Sequence, residues 1–567
     1  MTSDHDDRRT AHQREWEDKE RRALERFGER RPAFETGSHI PIERLYTPAD
    51  IPDFDYERDS GYPGDPPFTR GPYPLGYRSQ PFQPRPYCGY GTAEETNGRM
   101  KALLNQLGDQ KACNVILDLP TSYYGIDADD PLAKGEVGKT GVCINSVEDM
   151  HTLFEEIDPP SVSITFNTTG IVPLCFYVAM AEERGIPHSL LWGTQLNNPL
   201  ASYVSTGGVT LPHPNDAIRE LVDEIDYTLA EMPKWNPLSI GGYEIREAGS
   251  TAVQEVAFMF ANAIAYSEAC VQRGLRFDDF APKFVFYFSL GNDFFEEIAK
   301  FRVSRRVWAK IARERFGATN PKAMVFRVHT QTSGLTLTAE QPLNNIVRTT
   351  MQSLAAILGG TNSLHTDPYD EALCLPSEEA HLVATRTQQI ILEETGAGDT
   401  IDPMGGSYFM EHLTSELEKR VWDLCSEIDA QGGIVAAIES GWAQNDVDRE
   451  ALLYQRTLQT GERRVVGYNC YQSEVQSQVG VFRVDPTYEA KQRKRLADLR
   501  ANRDPSRVTT ALESVAVATR SGANLMIPCI EAAHARCTLG EIQKAMNTNR
   551  RSFRETFLDL KRRTVTA

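Results

Sequence analysis

The chain has 567 residues, 40% of them hydrophobic and 25% charged. It is long enough for one large domain of about 250 to 350 residues with appendages, or for three ordinary domains, and its composition excludes a fibrous or wholly disordered protein. A formal net charge of −19 opposes nonspecific attraction to nucleic acid and to anionic membrane surfaces, so neither is expected as a partner. The strongly apolar run from Ile171 to Ala181 is too short to span a bilayer, and the N-terminus MTSDHDDRRT has charges where a signal peptide needs an apolar core; a cytoplasmic location is the expectation.

Residues 5–32 alternate charges with few apolar anchors, which suits a helical arm, over about 1–45, that lies on a partner or stands in solvent. Residues 46–90 are rich in Pro, Gly and aromatics, so long helices are forbidden there and extended, wall-hugging chain is predicted. Between 91 and 400 the β-rich runs NVILDL, SVSITF, SLLWGT, NPLSIGGY, KFVFYFSL and AMVFRVHT alternate with amphipathic stretches such as SRRVWAKIARERFG. Repeated strand–helix units of that length predict parallel pairing and a (β/α)8 TIM barrel, with an open doubly wound sheet as the other possibility. Residues 401–567 read as a mainly helical C-terminal extension with a break near 465–484. The ten cysteines include no C-x-x-C pair and read as buried thiols in a reducing compartment.

In a parallel barrel the chemistry sits where strands end, which singles out Asp118, Asn167, Gln195, Asn197, Asn198, Tyr243, Glu244, Glu247, Asn292, Asp293, His329 and Gln331. That set is polar but holds no nucleophile triad, P-loop or metal cage. In the loop GGTNSLHTDPYDEA, His365 lies near Asp367 and Glu371, a weak metal signal that ordinary loop polarity explains as well. Spacing alone therefore gives a barrel enzyme with a polar pocket.

The ordered segments FTRGPYPLGYRSQ, YGTAEETN, DADDPLAKGEVGKTGVCINSVEDM, GGYEIREAG, VHTQTSGLTLT, GGTNSLHTDPYDEALCLPSE and DPMGGSYFMEHLT carry more. Across about 40–480 the sequence resembles the large subunits of the methylmalonyl-CoA mutase family, including the isobutyryl-CoA and 2-hydroxyisobutyryl-CoA mutases. The resemblance implies a barrel that threads an acyl-CoA along its axis and adenosylcobalamin bound jointly with a second domain. That domain's Asp-x-His-x-x-Gly motif, whose His ligates cobalt, does not occur in these 567 residues. A small cobalamin-binding subunit, in a heterodimer or heterotetramer, is thus expected to supply the cobalt ligand, with no metal held by this chain.

By the same resemblance Tyr87, Tyr243 and Glu244 stand at the reacting end, and Gly89, Glu247, His329, Gln331 and Glu371 face the cofactor. Tyr73, Arg85, Ile116, Thr194, Gln195, Leu196, Lys234 and Lys283 fall on the substrate side. The departures from the family concentrate there. The Arg that pairs with a substrate carboxylate falls near Thr206, so a dicarboxylic acyl group is not expected. The His that bonds the thioester carbonyl is Glu244, which can donate only when protonated and otherwise binds a donor. The Gln of the Gly-Thr-x-Gln run is Leu196, with Gln195 shifted by one. The hydroxyl-binding Asp of the 2-hydroxyisobutyryl-CoA mutases aligns with Ile116. Coenzyme A contacts change to Leu75, Gly76, Gln80, Gln83 and Val285, while Lys283 replaces an Arg.

The expectation is the large subunit of an adenosylcobalamin-dependent mutase that rearranges a noncarboxylated, branched or hydroxylated acyl-CoA. Radical chemistry on a non-CoA acid or ester, and a noncatalytic scaffold that keeps the partner interface, remain the alternatives.

Overall fold

The computed structural model describes residues 11–107, 111–208, 210–473, 479–480, 482–548, 550 and 552–553. The ends of the expected arm and extension, 1–10 and 554–567, lie outside them. Among the described residues ten short strands occur: β1 (Gln83–Pro84), β2 (Tyr87–Cys88), β3 (Ala112–Ile116), β4 (Ser163–Asn167), β5 (Gly193–Gln195), β6 (Trp235–Asn236), β7 (Leu238–Gly241), β8 (Phe284–Leu290), β9 (Val328–Thr332) and β10 (Ser363–His365). They form two five-stranded sheets, ordered β1-β10-β9-β8-β7 and β2-β3-β4-β5-β6. Every strand pairing within them is parallel, and helices make most of the crossovers that parallel order requires.

The sheets are joined twice through the chain itself. Arg85 and Pro86 separate β1 from β2, and Pro237 separates β6 from β7. Proline has no N–H to give to a ladder, so the pairing pattern lapses where Pro86 and Pro237 sit.

Side-chain alternation then divides each strand between a helix-facing side and an inner side. In β8, Phe284, Phe286, Phe288 and Leu290 are fully buried in the main hydrophobic cluster, with Phe260 and Trp308 of the helices Ala252–Gln272 and Phe294–Lys310. Each such side chain contributes roughly 1.5–3 kcal/mol by leaving water. The β3–β5 side is sealed differently. Val115, Ile164 and Phe166 join a second cluster with Tyr177, Trp235 and the C-terminal residues Met526, Cys529, Ile530 and Ala533. Helix Met526–His534 thereby closes over the helix Val172–Glu183.

Several elements differ from expectation. The 3-10 turn Pro321–Met324, capped by the Asn320 side chain on Lys322 N, takes the first two residues of AMVFRVHT, and the strand begins only at Val328. The turn His188–Leu190 likewise takes the first two residues of SLLWGT, leaving β5 three residues. Conversely, β1 and β2 lie inside the Pro-rich segment and β10 inside the stretch read as a loop. Helix Trp442–Thr460 is followed by the next described helix only at Thr487.

At the other end the arm forms a helix, Ala11–Phe27, and is then pinned to the body: Gly37 N donates to Asp293 Oδ2 at 2.6 Å and Ser38 N to Glu296 Oε1 at 3.0 Å. No helix among the described residues is long and apolar enough to cross a membrane.

Candidate functional site

The inner faces of the two sheets are polar and touch. Phe82, Pro84, Pro86 and Cys88 are buried, whereas Gln83, Arg85, Tyr87 and Gly89 alternate with them and are only half-buried. Tyr87 meets Tyr287 of the other sheet, hydroxyl to hydroxyl at 2.6 Å, and Asn114 Nδ2 approaches His329 Nε2 at 3.4 Å. The Tyr287 hydroxyl donates to Gln331 Oε1, so Tyr87 is left as the donor to Tyr287. Gln331 Nε2 in turn donates to Asp367 Oδ1 at 2.8 Å, which His365 Nε2 also approaches at 3.3 Å. Tyr243 stacks on Tyr287 at 4.8 Å, and Tyr87 packs at 4.2 Å on His365. Burial pushes all three phenols up, so they stay neutral donors. His329 is held neutral first by burial and then by Arg85 and His365. Accepting from Asn114 at Nε2 assigns its proton to Nδ1, which donates to Ser363 Oγ at 2.8 Å.

Carboxyl groups gather where the strands end. Glu247 accepts from Ser289 Oγ at 2.6 Å, Ser333 Oγ at 2.7 Å and Leu335 N at 2.7 Å, while burial raises its pKa. Glu371 is exposed at the rim, yet the surrounding protein crowds its carboxyl. That burial, and next Asp367, Asp370 and Glu247, push it up to about 8. Asp367 Oδ2 is buried with no hydrogen-bond partner among the described residues. Glu244 is the second residue of the short helix Tyr243–Glu247, with burial raising its pKa to about 7.

The strand N-terminal ends carry the opposite charge. Arg85 donates to Thr165 Oγ1 at 2.8 Å and Ser163 Oγ at 2.6 Å. Arg327 Nη2 donates to Asn236 Oδ1, Pro282 O and Phe284 O at 2.7–3.1 Å, and Lys283 Nζ donates to Pro233 O. None of the three has a carboxylate within ion-pair distance among the described residues. Burial lowers their pKa values, Arg85 to about 10, without discharging them. Tyr73 and Gln80 line a 140 Å³ cavity beside Arg305 and Asn362. Lys234 stands exposed just before β6.

Not every expected residue is brought in. Thr194 pairs in register with the inward Thr165, so Gln195, paired with Phe166, faces the other way and donates to Gly170 O at 3.0 Å. Period-two alternation thus removes Gln195 from the interior and returns Leu196 to it; neither Leu196 nor Ile116 joins the hydrophobic clusters. Gly89 is required by the backbone. With φ at +142°, a Cβ there would lie 2.2 Å from the Ile116 carbonyl oxygen, so the close approach it permits is to a neighbouring strand. Asp118 bonds Thr121 N and Gly138 N, Asn198 spans Gly241 O and the Tyr266 hydroxyl, and Asp293 holds the arm: these shape loops. No group of three or more His, Cys, Asp or Glu side chains with metal-binding geometry occurs among the described residues.

Sequence reasoning missed Tyr287, Asn114 and Arg327. Each is a polar residue at an alternate position of an otherwise apolar strand run or its lead-in, as in FVFYFSL.

The sequence matches the family description "Methylmalonyl-CoA mutase" over residues 35–552. It is 41% identical to the "2-hydroxyisobutanoyl-CoA mutase large subunit" of Aquincola tertiaricarbonis over 548 residues, covering 96% of this chain and 97% of the relative. Identity is 39% to the "Methylmalonyl-CoA mutase" of Escherichia coli, covering 90% of this chain and 71% of that one. It is 38% to the "Methylmalonyl-CoA mutase large subunit" of Propionibacterium freudenreichii subsp. shermanii, covering 91% and 71%. With a match of this extent spanning both sheets and the polar interior between them, the chain belongs to the methylmalonyl-CoA mutase family.

Proposed function

We propose that this chain is the substrate-handling large subunit of an adenosylcobalamin-dependent mutase, an isomerase that rearranges a noncarboxylated acyl-CoA. The observation that carries the proposal is the interior: polar on both sheets, cationic where strands begin and acidic where they end. In this reading the ten strand runs count as eight, because β1 with β2 and β6 with β7 are single strands interrupted at proline, and the two sheets close into a (β/α)8 barrel around that lumen. An ordinary barrel fills its centre with branched apolar side chains; Asn114, Ser163, Thr165, Ser289 and Ser363 leave this one open to a slender polar ligand.

The cationic end suits the phosphates of coenzyme A, since Arg85, Arg327 and Lys283 donate only to neutral oxygens. The acyl group then reaches the tyrosine-rich end, where Ile116 and Leu196 offer apolar contact and no Arg or Lys among the described residues is placed for a second carboxylate. Tyr87, Tyr287, Gln331 and Asp367 form one donor chain that fixes the orientation of the rings beside the acyl group. Tyr243, stacked on Tyr287, helps keep water out.

The residues present fit the cofactor that the family uses. Asp367 Oδ2 is buried and unpartnered, and with Glu371 it would hold hydroxyl donors such as those of a ribose. Adenosylcobalamin, when bound, supplies the homolytic radical chemistry. Two of the relatives are named large subunits, and a small cobalamin-binding subunit is the matching partner here, in a heterodimer or heterotetramer.

The test is product analysis after incubation with such a subunit, adenosylcobalamin and isobutyryl-CoA, 2-hydroxyisobutyryl-CoA or methylmalonyl-CoA. Isomerisation of a noncarboxylated thioester, with methylmalonyl-CoA untouched, is the expected result. Turnover of methylmalonyl-CoA alone would refute the substrate class.

A further inference from the structure

Two cysteines lie directly behind the lumen wall. In β2 Tyr87 points inward and Cys88 outward; in the neighbouring β3 Asn114 points inward and Cys113 outward. Both thiols belong to the hydrophobic cluster that includes Ala93 and Met100 of the helix Ala93–Gln106, with Cys88 5% exposed and Cys113 wholly buried. Their sulfurs are 2.9 Å apart, closer than the roughly 3.5–4.0 Å at which even the smaller carbon atoms rest without a bond. Cys113 Sγ also reaches the Asn114 carbonyl, at 3.9 Å. Both residues are free thiols as they stand.

The strand register determines what a bond between them would do. Tyr87 pairs with Asn114 and Cys88 with Val115, so Cys113 lies diagonally behind Cys88, toward the start of β3. A disulfide holds its two Cα atoms within about 6.8 Å, less than the roughly 8 Å of an ideal diagonal step between strands. Closing the bond therefore draws β2 back along β3. β2 can follow, because it is two residues long and the ladder lapses at Pro86 just before it. Tyr87 moves with Cys88, and its hydroxyl, 2.6 Å from that of Tyr287, leaves the donor chain.

We propose that Cys88 and Cys113 are an oxidation site, where hydrogen peroxide joins them in a disulfide that pulls Tyr87 off Tyr287. Cys88 reacts first, being the less buried of the two. Burial and then Cys113 push its thiol up, so the step is slow at neutral pH, while Arg99 favours the thiolate. That thiolate attacks one peroxide oxygen, the O–O bond breaks, and the other oxygen leaves as water once protonated; Cys88 becomes a sulfenic acid. The Cys113 sulfur then attacks the Cys88 sulfur, the S–O bond breaks, and a second water leaves with the Cys113 proton. Two thiols are oxidised and both peroxide oxygens are reduced, with no other reactant.

Mass spectrometry of the full chain tests the site without partner or cofactor. After mild treatment with hydrogen peroxide the wild type should be lighter by about 2 Da and yield a proteolytic peptide linking Cys88 to Cys113, both reversed by dithiothreitol. Cys113→Ala should give no link and leave Cys88 as a sulfenic acid that dimedone traps. Wild type with every thiol still free, or with oxygen on Cys88 and no link to Cys113, overturns the proposal.

The displacement of Tyr87 is read separately, and this arm alone rests on the acyl-CoA reading above. Freed of peroxide and then given a small cobalamin-binding subunit and adenosylcobalamin, the oxidised chain should turn over its thioester with kcat at least about tenfold lower and KM little changed. Dithiothreitol should restore it. A linked peptide with unchanged kcat overturns the displacement. Absence of turnover by the reduced chain overturns the acyl-CoA reading instead, and the linked peptide still decides the oxidation site. Because wild type before and after reduction carries both comparisons, a Cys113→Ala variant that does not fold leaves the test decisive.

Discussion

Among the described residues Arg85, Arg327 and Lys283 stand where the strands begin and donate only to neutral oxygens, whereas Glu244, Glu247, Asp367 and Glu371 gather where the strands end, with no described Lys or Arg within ion-pair distance. Placed together, the two groups would neutralise each other; apart, each stays unbalanced within the described chain. A fold tolerates buried charge of one sign when something outside the chain completes it. In the function proposed above, the two ends would answer to different ligands, a polyanionic carrier at one and the acyl group with cofactor hydroxyls at the other. The contrast extends to rigidity: the acidic end is tied by the chain from Tyr87 to Asp367, while each cation of the other end is held by its own separate oxygens.

The contrast breaks most visibly at the chemical end. Tyr87→Phe removes the first donor of the chain beside the acyl group, and kcat should fall about 100-fold with KM nearly unchanged, read by steady-state kinetics. Arg327→Met should do the reverse, raising KM for a CoA thioester about 30-fold and leaving kcat within a few-fold, because it removes a charged contact remote from the reacting bonds. Raising ionic strength should weaken thioester binding to the wild type more than to the variant. Combining the two changes sharpens the point. If the ends act independently, their effects on kcat/KM should add within about 0.5 kcal/mol.

The smallest effect is on stability. Glu371 titrates at about 8 in the fold against 4.5 for its ordinary value. The folded chain therefore holds a proton that the unfolded chain has lost between those pH values, and ionisation of Glu371 weakens the fold as pH rises through that window. Glu371→Gln should raise Tm by about 1 °C at pH 8.5, given solvent screening at the rim, and by less at pH 5. A larger gain at pH 5 would reverse the sign of this account.

What the sequence disclosed follows the same physical lines. The runs NVILDL, SVSITF and KFVFYFSL announce β3, β4 and β8 because their helix-facing residues are large and apolar. β1 and β2 were hidden by Pro84 and Pro86, which mark extended chain without revealing that Gln83, Arg85 and Tyr87 alternate inward. β10 has only three residues, too few for any periodicity to register. At the site, resemblance pointed to Tyr87, Tyr243, His329 and Gln331, which the fold gathers around Tyr287, and to Glu247, which it ties to Ser289 and Ser333. It misplaced Gln195, because a one-residue shift in a strand reverses the face. Tyr287 and Arg327 were legible in principle as polar interruptions. What conceals such residues is that a strand with two buried faces reads as continuous, and only the pairing register says which face is the interior.

The most direct test of the account is electron paramagnetic resonance of the chain mixed with a small cobalamin-binding subunit and adenosylcobalamin, with and without isobutyryl-CoA or 2-hydroxyisobutyryl-CoA. The account predicts a radical coupled to cobalt(II) that appears only when the thioester is present and is diminished in Tyr87→Phe. Tight cobalamin-dependent assembly with no radical from either thioester would contradict the assignment of the interior to catalysis on a noncarboxylated acyl-CoA.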